Sequence, residues 1–284
     1  MLSKILGESV TKRLAWVLGM TAALVSGCST SPTGRSQFMI ISPQAAVVQS
    51  QKAYATTIQG LKKDNKLSDD SRLADRVQGI TGRLITTAHE QFPQSRSWDW
   101  SVALIDDDET VNAWCMAGGR MAVYTGLFKQ LDLTDDEFAQ IMGHEIAHAL
   151  ANHTAEQMSR AIAAQIGLSA INAASEGNQG LLTGAQLAAV LALQLPNSRT
   201  AESEADAIGL ELATLTGYEP TAAVSLWRKM SALSDKRPPE FMSTHPDPER
   251  RLGTLAERAR QIGGLNPAQQ KPKIHPVTIV YKQD

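Results

Sequence analysis

Apolar residues recur at helical spacing through most of the chain and alternate with polar residues only in short segments. The pattern predicts helices over 43–61, from Ser68 onward, and over 135–158, 199–214, 221–233 and 248–262. Strand-like alternation is confined to 98–105, the two flanks of Gly118-Gly119, and 274–281. We therefore expect an α+β fold, mainly α, with a small antiparallel sheet.

Residues 159–195 form a stretch rich in alanine and leucine. Polar residues such as Gln165, Asn172 and Gln186 interrupt it, so its apolar runs stay shorter than the roughly 18 to 20 residues that cross a bilayer. Two packed helices are the expected structure for this stretch.

The composition narrows the class of protein. The 284 residues are 43% hydrophobic and 20% charged, which suits one globular core. A formal net charge of −2 and an aromatic content of 5% offer neither a basic surface nor a stacking platform, so nucleic acid is not an expected partner. The two cysteines, Cys28 and Cys115, cannot build a disulfide framework, and Cys115 is expected to be a small buried hydrophobe.

The start of the chain has the layout of a secretory leader. Lys12 and Arg13 precede an apolar stretch over 14–25, and small residues follow it. The sequence LVSGC ending at Cys28 resembles the bacterial lipobox, in which the cysteine is diacylated and becomes the new N-terminus. The resemblance implies a lipoprotein signal peptide over 1–27 and lipidation of Cys28.

The expected location follows from this lipidation signal. Ser29, rather than an aspartate, follows the cysteine, and by resemblance to Gram-negative lipoproteins this favours the outer membrane. We expect a tether over 28–42 and a folded domain over 43–284, in the periplasm and anchored by acyl chains in the inner leaflet of the outer membrane. The alternative is a plain cleaved leader or a short N-terminal anchor, with Cys28 incidental.

The strongest chemical signal is the pentad HExxH, from His144 to His148, in the middle of the predicted helix over 135–158. Two histidines four residues apart project about 40° from each other on a helix, so both imidazoles can reach one metal ion. Zinc suits two neutral imidazoles, and Glu145 lies beside the pair, where it can act as general base on a water at the metal. A surface histidine pair is the alternative without chemistry.

A catalytic zinc needs a third protein ligand and an open position. His153, five residues past His148, should face away on a continuous helix and is expected to pack or to support a ligand. Glu202 and Asp206 share a helix face, so Glu202 is the expected ligand and Asp206 the expected acceptor for the second N–H of a ligating histidine. Glu204 points to another side of that helix, and a solvated acidic face is the alternative for all three carboxylates.

Together these motifs resemble metallopeptidase family forty-eight, which includes HtpX, the CAAX prenyl endopeptidases and the mitochondrial Oma-type peptidases. The resemblance rests on HExxH, SRTAESEAD at 198–206, the segments around Asn112 and Gly118, and STHP at 243–246 with Arg251. It implies a gluzincin-type zinc metallopeptidase domain with its sheet beside the HExxH helix. It also implies one zinc ion per chain, held by His144, His148 and Glu202, with Glu145 as the catalytic base. The lipobox indicates the periplasmic lipoprotein branch.

The resemblance also makes statements about the cleft. It implies a substrate edge at Asn112 and Ala113, along which an extended chain adds a strand. It brings His245 to the cleft, where this histidine could stabilise the oxyanion, occupy the open zinc position and latch the enzyme, or simply pack. Arg251 could stabilise developing negative charge or brace this loop through a carboxylate.

The expected function is hydrolysis of peptide bonds in unfolded or misfolded envelope proteins, as a form of protein quality control. Envelope assembly machinery is a candidate partner. The alternative is a chaperone-like protein that holds unfolded outer-membrane proteins beside a latched, mostly silent zinc site. The intact Glu145 argues against pure binding.

Overall fold

The computed structural model describes residues 28–174, 199–234, 239–245 and 248–282. Its helices are α1 Pro43–Lys63, α2 Ser71–Gln91, α3 Thr125–Leu131, α4 Asp135–Leu150, α5 His153–Ala174, α6 Arg199–Leu215, α7 Ala222–Ser234, α8 Glu240–Thr244 and α9 Pro248–Ile262. Its strands are β1 Cys28–Thr30, β2 Ser36–Phe38, β3 Ser101–Ile105, β4 Ala113–Met116, β5 Arg120–Tyr124 and β6 Thr278–Val280. The predicted α+β, mainly helical fold is confirmed.

Two sequence predictions fall on residues outside these ranges. The signal peptide over 1–27 lies outside the described residues, and so does the part of the alanine- and leucine-rich stretch from 175 to 195. Among the residues that are described, none of the helices combines the length and the hydropathy that a membrane span requires.

The larger sheet has the strand order β4-β5-β3-β6. β4 and β5 form an antiparallel hairpin whose turn requires Gly118 and Gly119, at φ values of 80° and 77°. β3, however, pairs in parallel with both β5 and β6, so the expectation of an antiparallel sheet is wrong for two of its three strand pairings. After β3 the chain forms β4 at the edge of the sheet, and β5 then returns to fill the position between β4 and β3. Alternating polarity identifies a strand but carries no information on its direction.

Helix α4 is the centre of the core. Every side chain from Glu137 to Leu150 is buried. A capping box begins the helix, since the Thr134 N–H donates to the Glu137 carboxylate at 2.9 Å and the Glu137 N–H donates to the Thr134 hydroxyl at 3.2 Å. α4 therefore has a fixed start and a position surrounded by protein.

Helices α4 and α6 approach each other at two glycines. A Cβ on Gly143 would lie 2.8 Å from the carbonyl oxygen of Gly209, and a Cβ on Gly209 would lie 2.7 Å from the backbone nitrogen of His144. Neither position leaves room for a side chain. This contact sets the distance between the two helices that carry the candidate site.

Residues 28–38, within the tether expected over 28–42, form a hairpin that packs on the domain. β1 and β2 pair antiparallel, and Gln37 is 1% exposed. The Gln37 side-chain amide donates to the carbonyl of Ala151 at 2.8 Å, directly after α4. Strands of three residues are too short to produce a periodic pattern, so the polar composition of 29–37 was typical of a linker.

The predicted helix over 135–158 is two helices. α4 ends at Leu150, Asn152 has a φ of 58°, and α5 begins at His153. Asparagine tolerates this left-handed conformation better than most residues. Apolar residues continue across the junction, and for that reason the pattern did not indicate the break.

Candidate metal centre

Four side chains from separate parts of the chain converge in a buried site. His144 and His148 come from α4, Glu202 from the first turn of α6, and His245 directly follows α8. One ligand atom of each lies within 4.8 Å of the other three, and none of the four residues is more than 5% exposed. The three ligand residues predicted from the sequence thus meet at one place, and His245 joins them.

The spacing of these atoms fits a tetrahedral zinc site. His144 Nε2 lies 3.0 Å from His148 Nε2 and 3.4 Å from a carboxylate oxygen of Glu202. His148 Nε2 lies 3.4 Å from the other oxygen of Glu202. Ligand atoms held about 2.0 to 2.1 Å from one zinc ion at tetrahedral angles are about 3.3 Å apart. Two imidazoles and a carboxylate therefore fit zinc in both donor chemistry and separation.

His245 occupies a fourth corner of the same cluster. Its Nδ1 lies 3.2 Å from His144 Nε2 and 3.0 Å from a Glu202 oxygen. Its backbone N–H donates to the carbonyl of Phe241 at 2.9 Å, so the end of α8 fixes its position. His245 therefore lies in the cleft, as two of its three expected roles require, and does not pack away from it.

Glu145 lies beside the ligands without joining their hydrogen bonds. Its Oε1 has no hydrogen-bond partner within the described part of the chain and lies 3.4 Å from His245 Nε2. Burial raises the pKa of Glu145. A buried carboxylate with one unpartnered oxygen next to a metal site suits a general base.

Asp206 and Arg251 brace the ligands. A carboxylate oxygen of Asp206 lies 3.0 Å from His144 Nδ1. The Arg251 guanidinium donates to Asp206 at 2.8 Å, lies 3.0 Å from Glu202, and donates to the backbone carbonyl of His245 at 3.3 Å. It also stacks over the Trp227 ring, 4.2 Å from its centroid. These contacts match the bracing role among the two expected for Arg251.

The electrostatics of the site favour bound positive charge. Burial opposes the protonated form of His144, but hydrogen bonds to Asp206 and Glu202 outweigh it and raise the pKa of His144 to about 9. Burial together with the charge of His144 lowers the pKa of His148. Burial also opposes ionisation of Glu202, yet hydrogen bonds to His144 and His245 hold the pKa of its carboxyl well below the usual range. The carboxylates thus bring negative charge into a buried cluster, where a proton or a metal ion can balance it.

His153 and Glu204 make a contact that the sequence interpretation missed. His153 faces His148 rather than pointing away from it, with 2.9 Å between the two Nδ1 atoms. Its Nε2 lies 3.1 Å from a Glu204 oxygen. The expectation for His153 assumed a continuous helix, and the break at Asn152 removes that assumption. An asparagine next to a histidine was the only signal, and it is a weak one.

Asn112 and Ala113 lie where the edge strand β4 begins. The backbone N–H of Phe241, in α8, donates to the carbonyl of Val111 at 3.1 Å, which joins the start of this edge to the helix that His245 follows. The Ala113 N–H donates to the side-chain oxygen of Asn112 at 2.9 Å. The first amide of the expected substrate edge is therefore already hydrogen-bonded within the chain.

Comparison with known proteins indicates one family. Residues 71–259 match the sequence profile described as Peptidase family M48. The chain is 32% identical over 190 residues to the mitochondrial metalloendopeptidase OMA1 of Arabidopsis thaliana, covering 66% of this chain and 38% of that protein. It is 30% identical over 226 residues to the mitochondrial metalloendopeptidase OMA1 of Bos taurus, covering 75% and 42%. It is 28% identical over 215 residues to the beta-barrel assembly-enhancing protease of Escherichia coli strain K12, covering 72% and 42%. The chain thus spans about two fifths of the length of these relatives.

Proposed function

We propose a function for this chain that starts from its family, since the chain belongs to peptidase family M48. In this proposal it is a zinc-dependent endopeptidase, and it hydrolyses peptide bonds of unfolded or misfolded envelope proteins. The observation that carries the proposal is the meeting of His144, His148 and Glu202 within tetrahedral spacing. Directly beside them lies a Glu145 oxygen that has no hydrogen-bond partner among the described residues. A structural zinc site requires only its four ligands, whereas a buried glutamate beside the ligands is what a catalytic site requires.

His144, His148 and Glu202 hold the ion in this proposal. Zinc, when bound, lowers the pKa of a coordinated water and stabilises negative charge on the carbonyl oxygen of the scissile bond. Asp206 accepts the remaining N–H of His144 and keeps its Nε2 lone pair toward the ion. Arg251 contacts the carboxylates of both Asp206 and Glu202, so the ligands are held in position before the ion binds.

Glu145 moves the proton. It accepts a proton from the attacking water at Oε1 and delivers it to the nitrogen of the leaving amine. Because burial raises the pKa of Glu145, its carboxylate is a stronger base than an exposed one.

The substrate binds as an extended strand along β4, near Asn112 and Ala113. β4 is an edge of the sheet, and main-chain hydrogen bonds to an edge tolerate many side chains, as a protease of unfolded chains requires. To use the Ala113 N–H, a substrate carbonyl displaces the Asn112 side chain that now accepts from it.

The envelope as the place of action is supported by the lipobox and by one relative. One relative, from Escherichia coli strain K12, is named a beta-barrel assembly-enhancing protease. We propose a periplasmic protein anchored to the outer membrane through acylated Cys28, with unfolded outer-membrane proteins as substrates and the envelope assembly machinery as a partner.

A latched, chaperone-like state is the second candidate, and the position of His245 favours it. With Nδ1 3.2 Å from His144 Nε2, His245 stands where a substrate carbonyl would approach the ion. A protein in this state holds an unfolded chain without cutting it until α8 and His245 move.

Digestion of an unfolded protein tests these roles. We would measure cleavage of fluorescently labelled, unfolded casein and the zinc content of the same samples. Glu145→Gln should keep one zinc per chain and lose about 10² to 10⁴ in rate. Glu257→Gln, on the exposed surface of α9, is the matched control and should cleave like the parent. Full chelator-sensitive activity in Glu145→Gln would refute the base assignment.

His245→Ala separates the two candidate functions. A latch predicts faster cleavage than in the parent, and an oxyanion-stabilising role predicts slower cleavage. If neither protein cuts casein but both bind an unfolded outer-membrane protein, binding of unfolded chains stands, whereas the peptidase activity and the latch both fail.

A further inference from the structure

A continuous series of hydrogen bonds connects the hairpin over 28–38 to His148, a candidate zinc ligand. His148 Nδ1 lies 2.9 Å from His153 Nδ1, and His153 Nε2 lies 3.1 Å from a Glu204 oxygen. The same oxygen accepts from Arg35 Nε at 2.9 Å. Thr33 in the hairpin also donates to Glu204. His153 is 3% exposed and Glu204 is 4% exposed, so water does not compete for these contacts.

We propose that Glu204 and His153 are positioning residues for metal binding, and that the hairpin carrying Arg35 holds Glu204 in place. This inference rests on the proposed function only in requiring that His148 binds a metal ion. It assigns a role to the segment that follows the lipidation site, which becomes part of the support of the metal centre.

The Glu204 carboxylate determines which atom is the donor in each hydrogen bond of this series. A carboxylate can only accept, so the hydrogen between Glu204 and His153 belongs to His153 Nε2. With that hydrogen on Nε2, His153 presents a lone pair at Nδ1. The hydrogen between the two imidazoles then belongs to His148 Nδ1. This leaves the lone pair of His148 at Nε2, the atom that faces His144 and Glu202.

Helix α6 therefore supports each histidine of the pair through a different carboxylate. Asp206 contacts His144 Nδ1 directly at 3.0 Å, on the same face of the helix as Glu202. Glu204 points to another side of α6 and reaches His148 only through His153. The break at Asn152 makes this possible, because it lets His153 turn toward His148.

Arg35 ties the hairpin to two helices at once. Its Nη1 and Nη2 donate to the two oxygens of Glu156, in α5, at 3.0 and 2.7 Å, while its Nε donates to Glu204 in α6. Such a bidentate pair fixes the plane of the guanidinium. The Glu204 carboxylate is thus held in one orientation, and with it the ring of His153.

The first test is zinc affinity, measured by competition with a fluorescent chelator. Glu204→Gln keeps the shape of the side chain but offers an amide that can donate to His153 and permit the opposite hydrogen placement. We expect its zinc dissociation constant to rise about 10- to 100-fold. Arg35→Gln keeps the Glu204 carboxylate but removes the cation that orients it, and should weaken zinc binding by a smaller factor. Glu137→Gln removes a buried, paired carboxylate elsewhere on α4 and should keep the parent affinity within about threefold.

The outcomes separate this inference from the proposed function. If the parent binds no zinc, the proposed function fails. If the parent binds zinc and Glu204→Gln binds it equally well, only the positioning role fails. Unchanged affinity in Arg35→Gln overturns the part assigned to the hairpin.

A second measurement needs no variant to fold. Long-range ¹H–¹⁵N spectra of the zinc-loaded parent report which imidazole nitrogens carry hydrogen. We expect hydrogen on Nδ1 of His148 and on Nε2 of His153. Hydrogen on Nδ1 of His153 would overturn the proposal.

Discussion

Replacing Gly209 by alanine tests whether the contact between α4 and α6 sets the geometry of the metal centre. The added Cβ would lie 2.7 Å from the His144 nitrogen and 2.8 Å from the carbonyl carbon of Gly143, whereas ordinary contacts begin at 3.4 Å. The helices must therefore part locally by about 0.7 Å, the difference between 3.4 and 2.7 Å. Zinc ligands tolerate displacements of only about 0.2 Å. Glu202 on α6 and His144 on α4 would move apart by more than this tolerance.

The cost of this change has two parts. Overpacking of a well-packed contact costs about 1 to 3 kcal/mol. For a domain of this size that cost lowers the Tm by about 2 to 12 °C. The displacement of Glu202 should in addition raise the zinc dissociation constant at least about tenfold, in line with the loss of a well-placed supporting group.

The assay is thermal unfolding of the metal-free protein by circular dichroism, together with a chelator competition for zinc. Gly79→Ala, in α2, is the control, because a Cβ there meets no atom within 4 Å. This control should gain about 0.5 to 1 kcal/mol of stability and keep its zinc affinity. Parent-like Tm and zinc affinity in Gly209→Ala would refute the claim that this contact fixes the site.

Further variants probe the core, the brace and the anchor. Burial opposes ionisation of Glu137, but hydrogen bonds from Lys229 and its neighbours hold the pKa of its carboxyl below the usual value, so its stabilisation is present above about pH 4.5 and is lost as the pH falls. The difference in urea unfolding free energy between the parent and Glu137→Gln should shrink on acidification, and a constant difference contradicts this. Arg251→Lys loses the two-point contact with Asp206 and should cost about 1 to 3 kcal/mol in urea unfolding, and parent-like stability contradicts the bracing role. Cys28→Ser should prevent acylation, seen by mass spectrometry of the membrane fraction, and an acylated Cys28→Ser protein contradicts lipidation at this residue.

The three proposed ligands could be named from the sequence because local helix geometry places each pair of residues on one face. The spacing of His144 and His148 fixes their common face on any α-helix, and the spacing of Glu202 and Asp206 does the same on α6. Neither spacing predicts that the two helices meet. Their meeting depends on the tertiary contact between Gly143 and Gly209.

The parts that sequence did not predict depend on single residues or long-range packing. Asn152 ends α4 without any interruption of the apolar pattern, so it could not be foreseen that the His153 side chain turns toward His148. The hairpin over 28–38 has strands of three residues, and its attachment through Arg35 to Glu204 joins positions 169 residues apart. Such contacts leave no periodic trace in a single sequence.

The most direct test of the central claim is X-ray absorption at the zinc K edge of the purified protein. We predict one zinc ion per chain with at least two imidazole nitrogens and one carboxylate oxygen at about 2.0 to 2.2 Å. The carboxylate contribution should disappear in Glu202→Ala. A zinc shell without imidazole, or one unchanged in Glu202→Ala, would contradict a metal centre shared by His144, His148 and Glu202.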